Sequence, residues 1–173
     1  SHLGLFDERD AQHLNEKARS WKDSFARRRL DLAGRPTPTE ATLVQTLERA
    51  QAERLDLIAH TGDLINFPTQ ANVEFCARAL KEAGVPWLYT PGNHDWRFPG
   101  IEGGDEVRER WLPALAPLQQ AGALSCAARD IQGVQFLAID DSNYQISTEQ
   151  LAFTRKQYAR GLPTVLLIHI PIS

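Results

Sequence analysis

Pro91-Gly92-Asn93-His94-Asp95 stands directly after a short apolar run, residues 85–89, and its reading decides the fold. About thirty residues upstream a similar run, residues 55–59, leads into His60-Thr61-Gly62-Asp63. An apolar strand that ends in a glycine turn leaves the next polar side chains at the strand's carboxyl edge, where open α/β sheets build their sites. Two such edges side by side converge on one point. Asp63, Asn93 and His94, with His2 near the start and His169 near the end, are side chains that ligate metals or work beside them.

Working outward, helix and strand signals alternate as a layered α/β domain requires. Leu14, Ala18 and Trp21 share one helical face, and this segment closes at Gly34 and Pro36. Thr37-Pro38-Thr39-Glu40 has the form of a capping box ahead of Leu43, Leu47 and Ala50. A third helix carries Val73, Cys76, Ala77 and Leu80 and stops at Gly84. A more broken one runs over residues 105–121, interrupted by Pro113 and Pro117. Ser147-Thr148-Glu149-Gln150 opens a last helix ending near Gly161, after a hairpin around Gln132-Gly133 and before a strand at residues 164–168. Residues 8–36 form a helical insertion near the edge that carries the site.

Composition excludes several classes of function. With 42% hydrophobic and 24% charged residues, the chain is an ordinary globular domain, read as a single unit over residues 1–173. A net charge of −3 argues against a nucleic-acid binder, which carries a basic face. No apolar run approaches the length of a membrane span. Cys76 and Cys126 fit neither a disulfide framework nor a C-x-x-C metal pattern. They read as free thiols in a reducing compartment, which makes the cytoplasm the expected location.

The motifs resemble those of the calcineurin-like metallophosphoesterases, whose successive blocks read D-x-H, G-D, G-N-H-D/E, a lone H, and G-H-x-H. His2-Leu3-Gly4 is similar to the tail of the first block, Gly62-Asp63 to the second, Gly92-Asn93-His94-Asp95 to the third, and His169 to the fourth. The first block's aspartate is expected before Ser1 and the fifth block after Ser173, so the chain reads as a fragment. A weaker likeness, in Ile139-Asp140-Asp141-Ser142 and His169-Ile170-Pro171, is to the cyclic-nucleotide-phosphodiesterase and purple-acid-phosphatase branches.

The resemblance implies a four-layer α/β/β/α sandwich with two mixed β-sheets, incomplete at both ends. It also implies a dinuclear centre of divalent or trivalent transition metals, Mn, Fe, Zn or Ni, with Asp63 as the bridge. His2 would serve one ion, and Asn93 and His169 the other. Ions so placed lower the pKa of a shared water, giving a hydroxide that attacks phosphorus. His94 is expected beside the substrate as a catalytic non-ligand, with Asp95 orienting and charging its imidazole. The expected reaction is hydrolysis of a phosphomonoester or phosphodiester.

Alternatives at this stage are a nuclease of the same superfamily and a non-catalytic scaffold with a decayed metal site. The expected substrate is a small-molecule phosphoester, nucleotides included, with neither nucleic acid nor membrane as partner. Other polar residues have plainer readings. His60 is a strand residue or an outer support, His13 a surface residue, Arg27-Arg28-Arg29 a solvated face, and Asp140 and Asp141 a strand end.

Overall fold

In the computed structural model, which describes residues 2–26 and 34–171, the two apolar runs become neighbouring strands. β1 (Ile58–Thr61) and β2 (Trp87–Thr90) pair in parallel, with Ile58 opposite Trp87 and Thr61 opposite Thr90. β1 starts later than its apolar run because Leu55 gives its amide to the Ala50 carbonyl and closes the helix before it.

That helix, α2 (Thr39–Ala52), follows α1 (Glu16–Ala26). The capping box expected at its start does not form. Thr37 donates its hydroxyl to the Arg35 carbonyl, and α2 begins behind Pro38 without a side-chain cap. α3 (Gln70–Ala83) is the crossover between β1 and β2. It opens on Thr69, whose hydroxyl accepts the Asn72 amide, and closes on Gly84 at φ 66°, a left-handed conformation that glycine adopts without steric cost.

α4 (Asp105–Trp111) passes into a 3₁₀ helix, Leu112–Leu118. Pro113 and Pro117 supply no amide hydrogen there, so regular α-helical bonding does not continue. A second sheet has the order β3 (Cys126–Ile131), β4 (Val134–Ile139), β5 (Thr164–Leu167), antiparallel and then parallel. The β3–β4 hairpin turns through Gln132 and Gly133, both at positive φ, the conformation whose twist matches the flanking strands. α5 (Thr148–Tyr158) has the capping box read from the sequence, with Ser147 and Gln150 bonding each other's backbone amides.

β2 shows why its run lacks polar alternation: all four residues are buried. Trp87 and Tyr89 face a core that includes Leu43, Leu47, Cys76 and Leu80 of α2 and α3. Leu88 faces Ala127, Ala138 and Leu167 of the second sheet. A strand covered on both faces must be apolar on both. The fold is therefore mixed α/β with two small sheets, and helices cover the face of the first sheet away from the second. No helix among the described residues is long and apolar enough to cross a membrane.

Because Leu88 fills the space between the sheets, Leu88→Ala should cost about 2–5 kcal/mol, read as a lower urea midpoint at unchanged m-value.

Candidate metal centre

Register brings the site together. Thr61 lies beside Thr90, so the turns that follow the two strands start level and touch. A Cβ on Gly62 would stand 2.7 Å from the Gly92 Cα, and one on Gly92 would overlap the Asp63 amide and carboxylate. Both positions need glycine for this close approach. Asp63 and His2 also have positive φ, 52° and 55°, a strain of roughly 1 kcal/mol each for residues with a Cβ. Strain of this kind collects at functional sites.

His2 arrives by a short backbone ladder. Its amide donates to the Asp63 carbonyl at 2.9 Å, and Leu3 forms an isolated parallel bridge with Ile65. His2 Nε2 then lies 3.0 Å from Asp63 Oδ2. On the other side His169 Nε2 lies 3.4 Å from Asp63 Oδ1 and 3.1 Å from Asn93 Oδ1. The two carboxylate oxygens thus face different histidines.

His169 is set by its own backbone and ring contacts. Asp141 accepts the amides of His169 and Ile170, at 2.9 Å and 3.1 Å, at the end of β5. Nδ1 donates to the Thr61 carbonyl at 2.8 Å, which fixes the proton on that nitrogen. Nε2 of His169 thereby faces Asn93 Oδ1 and Asp63 Oδ1. An imidazole nitrogen, an amide oxygen and a carboxylate oxygen meet here, and a cation is what such a donor set accommodates. These residues fit a metal.

Burial of Asp63 pushes its carboxyl up, but the His2 hydrogen bond, the neighbouring His94 and His169 and the His94 amide at 3.1 Å outweigh it. The Asp63 carboxyl sits below its ordinary value, so it is ionised and ready to ligate.

His94 departs from expectation in its partner. Asp95 does not reach the imidazole. Its buried carboxylate accepts the Gly92 amide at 2.7 Å, the Ile65 amide at 2.9 Å and the Tyr89 hydroxyl at 2.8 Å, stitching the two turns together. Desolvation raises Asp95 to about 6 against the pull of those bonds. Asn66 takes over the orienting part, with its Oδ1 2.9 Å from His94 Nδ1. The charging part disappears as well, since burial, offset in part by Asp63, lowers His94 to about 4 and leaves it neutral at pH 7.

Distances alone do not separate His94 from the ligands. Ligand atoms of His2, Asp63 and His94 all lie within 4.8 Å of one another. The His94 ring is 4.9 Å from that of His2, edge to face, and 4.8 Å from Trp21 of α1. Every residue expected from the motifs is therefore at one place, Asp95 from behind.

His60 lines a groove between α2 and β1 instead. His13 is half-buried, with its ring stacked on Phe98 at 4.4 Å. Asp140 pairs with Arg108 and accepts the Ser142 amide and hydroxyl, which ends β4 as expected. Arg27, Arg28 and Arg29 lie outside the described residues. Sequence reasoning missed Asn66, whose one signal was an amide three residues after Asp63, and it left Asp141 as a strand end.

A family model described as calcineurin-like phosphoesterase matches residues 38–173. Asp63, Asn93, His94 and His169 fall inside that match; His2 falls outside it and joins the site through the backbone ladder. No curated protein matches the chain.

Gly92→Ala should leave the circular dichroism spectrum unchanged and weaken metal binding at least tenfold by titration calorimetry, since the new Cβ displaces Asp63. Asp95→Ala leaves two buried amides and a buried hydroxyl without their acceptor, and should cost more than about 3 kcal/mol of folding stability in urea.

Proposed function

Because the chain belongs to the calcineurin-like phosphoesterase family, we propose that it hydrolyses a small phosphomonoester or phosphodiester at a centre of two transition-metal ions. Family membership supports hydrolase activity on phosphoesters and metal binding; the number of ions, the nucleophile and the substrate are the finer reading. The observation that carries it is the Asp63 carboxylate, with Oδ2 toward His2 and Oδ1 toward His169 and Asn93. A carboxylate divided in this way is the bridge that a pair of cations requires.

In this reading His2 and Asp63 hold one ion, and Asp63, Asn93 and His169 hold the other. Imidazole, carboxylate and amide oxygen together suit Mn, Fe, Zn or Ni better than Mg or Ca. When bound, such a pair supplies a hydroxide nucleophile near neutral pH and polarises the phosphoryl oxygens.

The chain's own residues do the rest. Asp141 and Thr61 hold His169 by its backbone and Nδ1, so that Nε2 is the nitrogen presented to the site. Asn66 holds His94 through Nδ1, which makes Nε2 the nitrogen that takes a proton and returns it to the leaving alkoxide. Trp21 lies against that ring and keeps water from one side of it. Within the insertion read from the sequence, α1 thus serves the site through Trp21. The four-layer α/β/β/α sandwich belongs to the same reading and is supported by α2 and α3 on the first sheet and by the contact of α5 with β3. A small ester is the proposed partner, as the net charge of −3 provides little for a polyanion.

Asp63→Asn should abolish turnover of an aryl phosphate and take bound metal from two ions per chain toward one or none by elemental analysis. Active protein without bound metal would contradict the proposal. His94→Ala should keep its metal and lower kcat by about a hundred to ten thousand fold, with a smaller loss for esters whose leaving group is acidic. Loss of metal along with activity would make His94 a ligand.

A further inference from the structure

Two clefts flank the proposed centre, and Arg97 lines both. One, of about 320 Å³, opens at Asn93 and is lined further by Trp96, Gly103, Ser142 and Tyr144. The other, of about 430 Å³, lies between Arg97, Lys17 and Trp21, and Trp21 is the residue whose ring lies 4.8 Å from His94. The Arg97 side chain runs over Gly103, where a Cβ would stand 3.3 Å from Nη1. Arg97 is half-buried, yet among the described residues its guanidinium makes no hydrogen bond and no ion pair.

That combination is unusual for an arginine. A guanidinium has five donors in a planar fork and is always charged, and a half-buried one normally meets a carboxylate or a carbonyl. Acidic residues are near: Asp105 lines the first cleft and Glu102 the second. Both are exposed and neither pairs with it. Other arginines of the chain do find partners, Arg9 with Asp7 and Glu74, Arg108 with Asp140, Arg160 with Asp130. Among the described arginines, Arg97 is the one that shares a cleft with Asn93 and another with Trp21.

We propose that Arg97 marks a second anion subsite beside the centre, which takes a phosphate group on the leaving-group side of the substrate. The substrate class is then a phosphoester whose alcohol portion itself carries a phosphate. The ester phosphate sits at Asp63, Asn93 and His169 while the second phosphate takes the fork of Arg97 in two parallel charge-assisted hydrogen bonds. Lys17 adds a second cation from the inserted helix, and Trp21 an apolar wall for the carbon skeleton between the phosphates. This rests on the hydrolase reading above for the position of the first phosphate.

The test compares two nucleotides that differ by one phosphate, adenosine 3′,5′-bisphosphate and adenosine 5′-monophosphate, on the manganese-loaded full chain. Titration calorimetry gives their affinities, and phosphate release gives kcat/KM. Wild type should prefer the bisphosphate by at least tenfold. Arg97→Ala should remove that preference while keeping its manganese and its turnover of phenyl phosphate within twofold, and Arg97→Lys should restore part of it. Equal binding of the two nucleotides by wild type, or a preference that survives Arg97→Ala, overturns the subsite. A preference lost in Arg97→Ala when neither nucleotide nor phenyl phosphate is hydrolysed supports the subsite and contradicts the hydrolase reading, so the two failures are told apart.

Discussion

Parallel pairing of β1 with β2, with Thr61 opposite Thr90, is the constraint on which the rest of the molecule depends. Side chains alternate along a strand, so a slip of one residue would turn Trp87 and Tyr89 away from the helices and Leu88 away from the second sheet. The same slip would part the Gly62 and Gly92 turns. Asp95 guards the register from beneath, because its carboxylate ties the Ile65 amide of one turn to the Gly92 amide of the other. One buried side chain therefore serves both stability and the alignment of Asp63 with Asn93.

Around this joint the structure sets its donor atoms against local comfort. Asp63 and His2 are strained, and His169 Nε2, Asn93 Oδ1 and Asp63 Oδ1 are gathered at one point. That strain costs free energy in the bare protein. A cation held there would offset it, so added metal should stabilise the fold.

Much of this was legible in the residues. Gly-Asp and Gly-Asn-His-Asp after apolar runs placed Asp63, Asn93 and His94 at adjoining strand ends, and Ser147 with Gln150 announced α5. What the sequence concealed lies in contacts that depend on three dimensions. Asp95, next to His94 in the chain, points the opposite way, because successive residues in a tight turn leave on different sides. Asn66 lies 28 positions from His94 and meets it only after the turns close. Trp21 read as a helix-face residue in an insertion that covers the ligand, but its contact with His94 follows from how α1 packs, which periodicity does not reveal. Thr37-Pro38-Thr39-Glu40 matched a capping box, but α2 starts one residue later, so Pro38 and not Thr37 stands at the cap position.

In the proposed centre the Asp63 carboxylate is shared between two cations, and electron paramagnetic resonance of the manganese-loaded chain examines that sharing directly. Two Mn(II) ions bridged by Asp63 should give an exchange-coupled multiline spectrum at two equivalents of metal. An isolated six-line Mn(II) spectrum that persists from one equivalent to saturation would contradict the bridge, and with it the dinuclear centre.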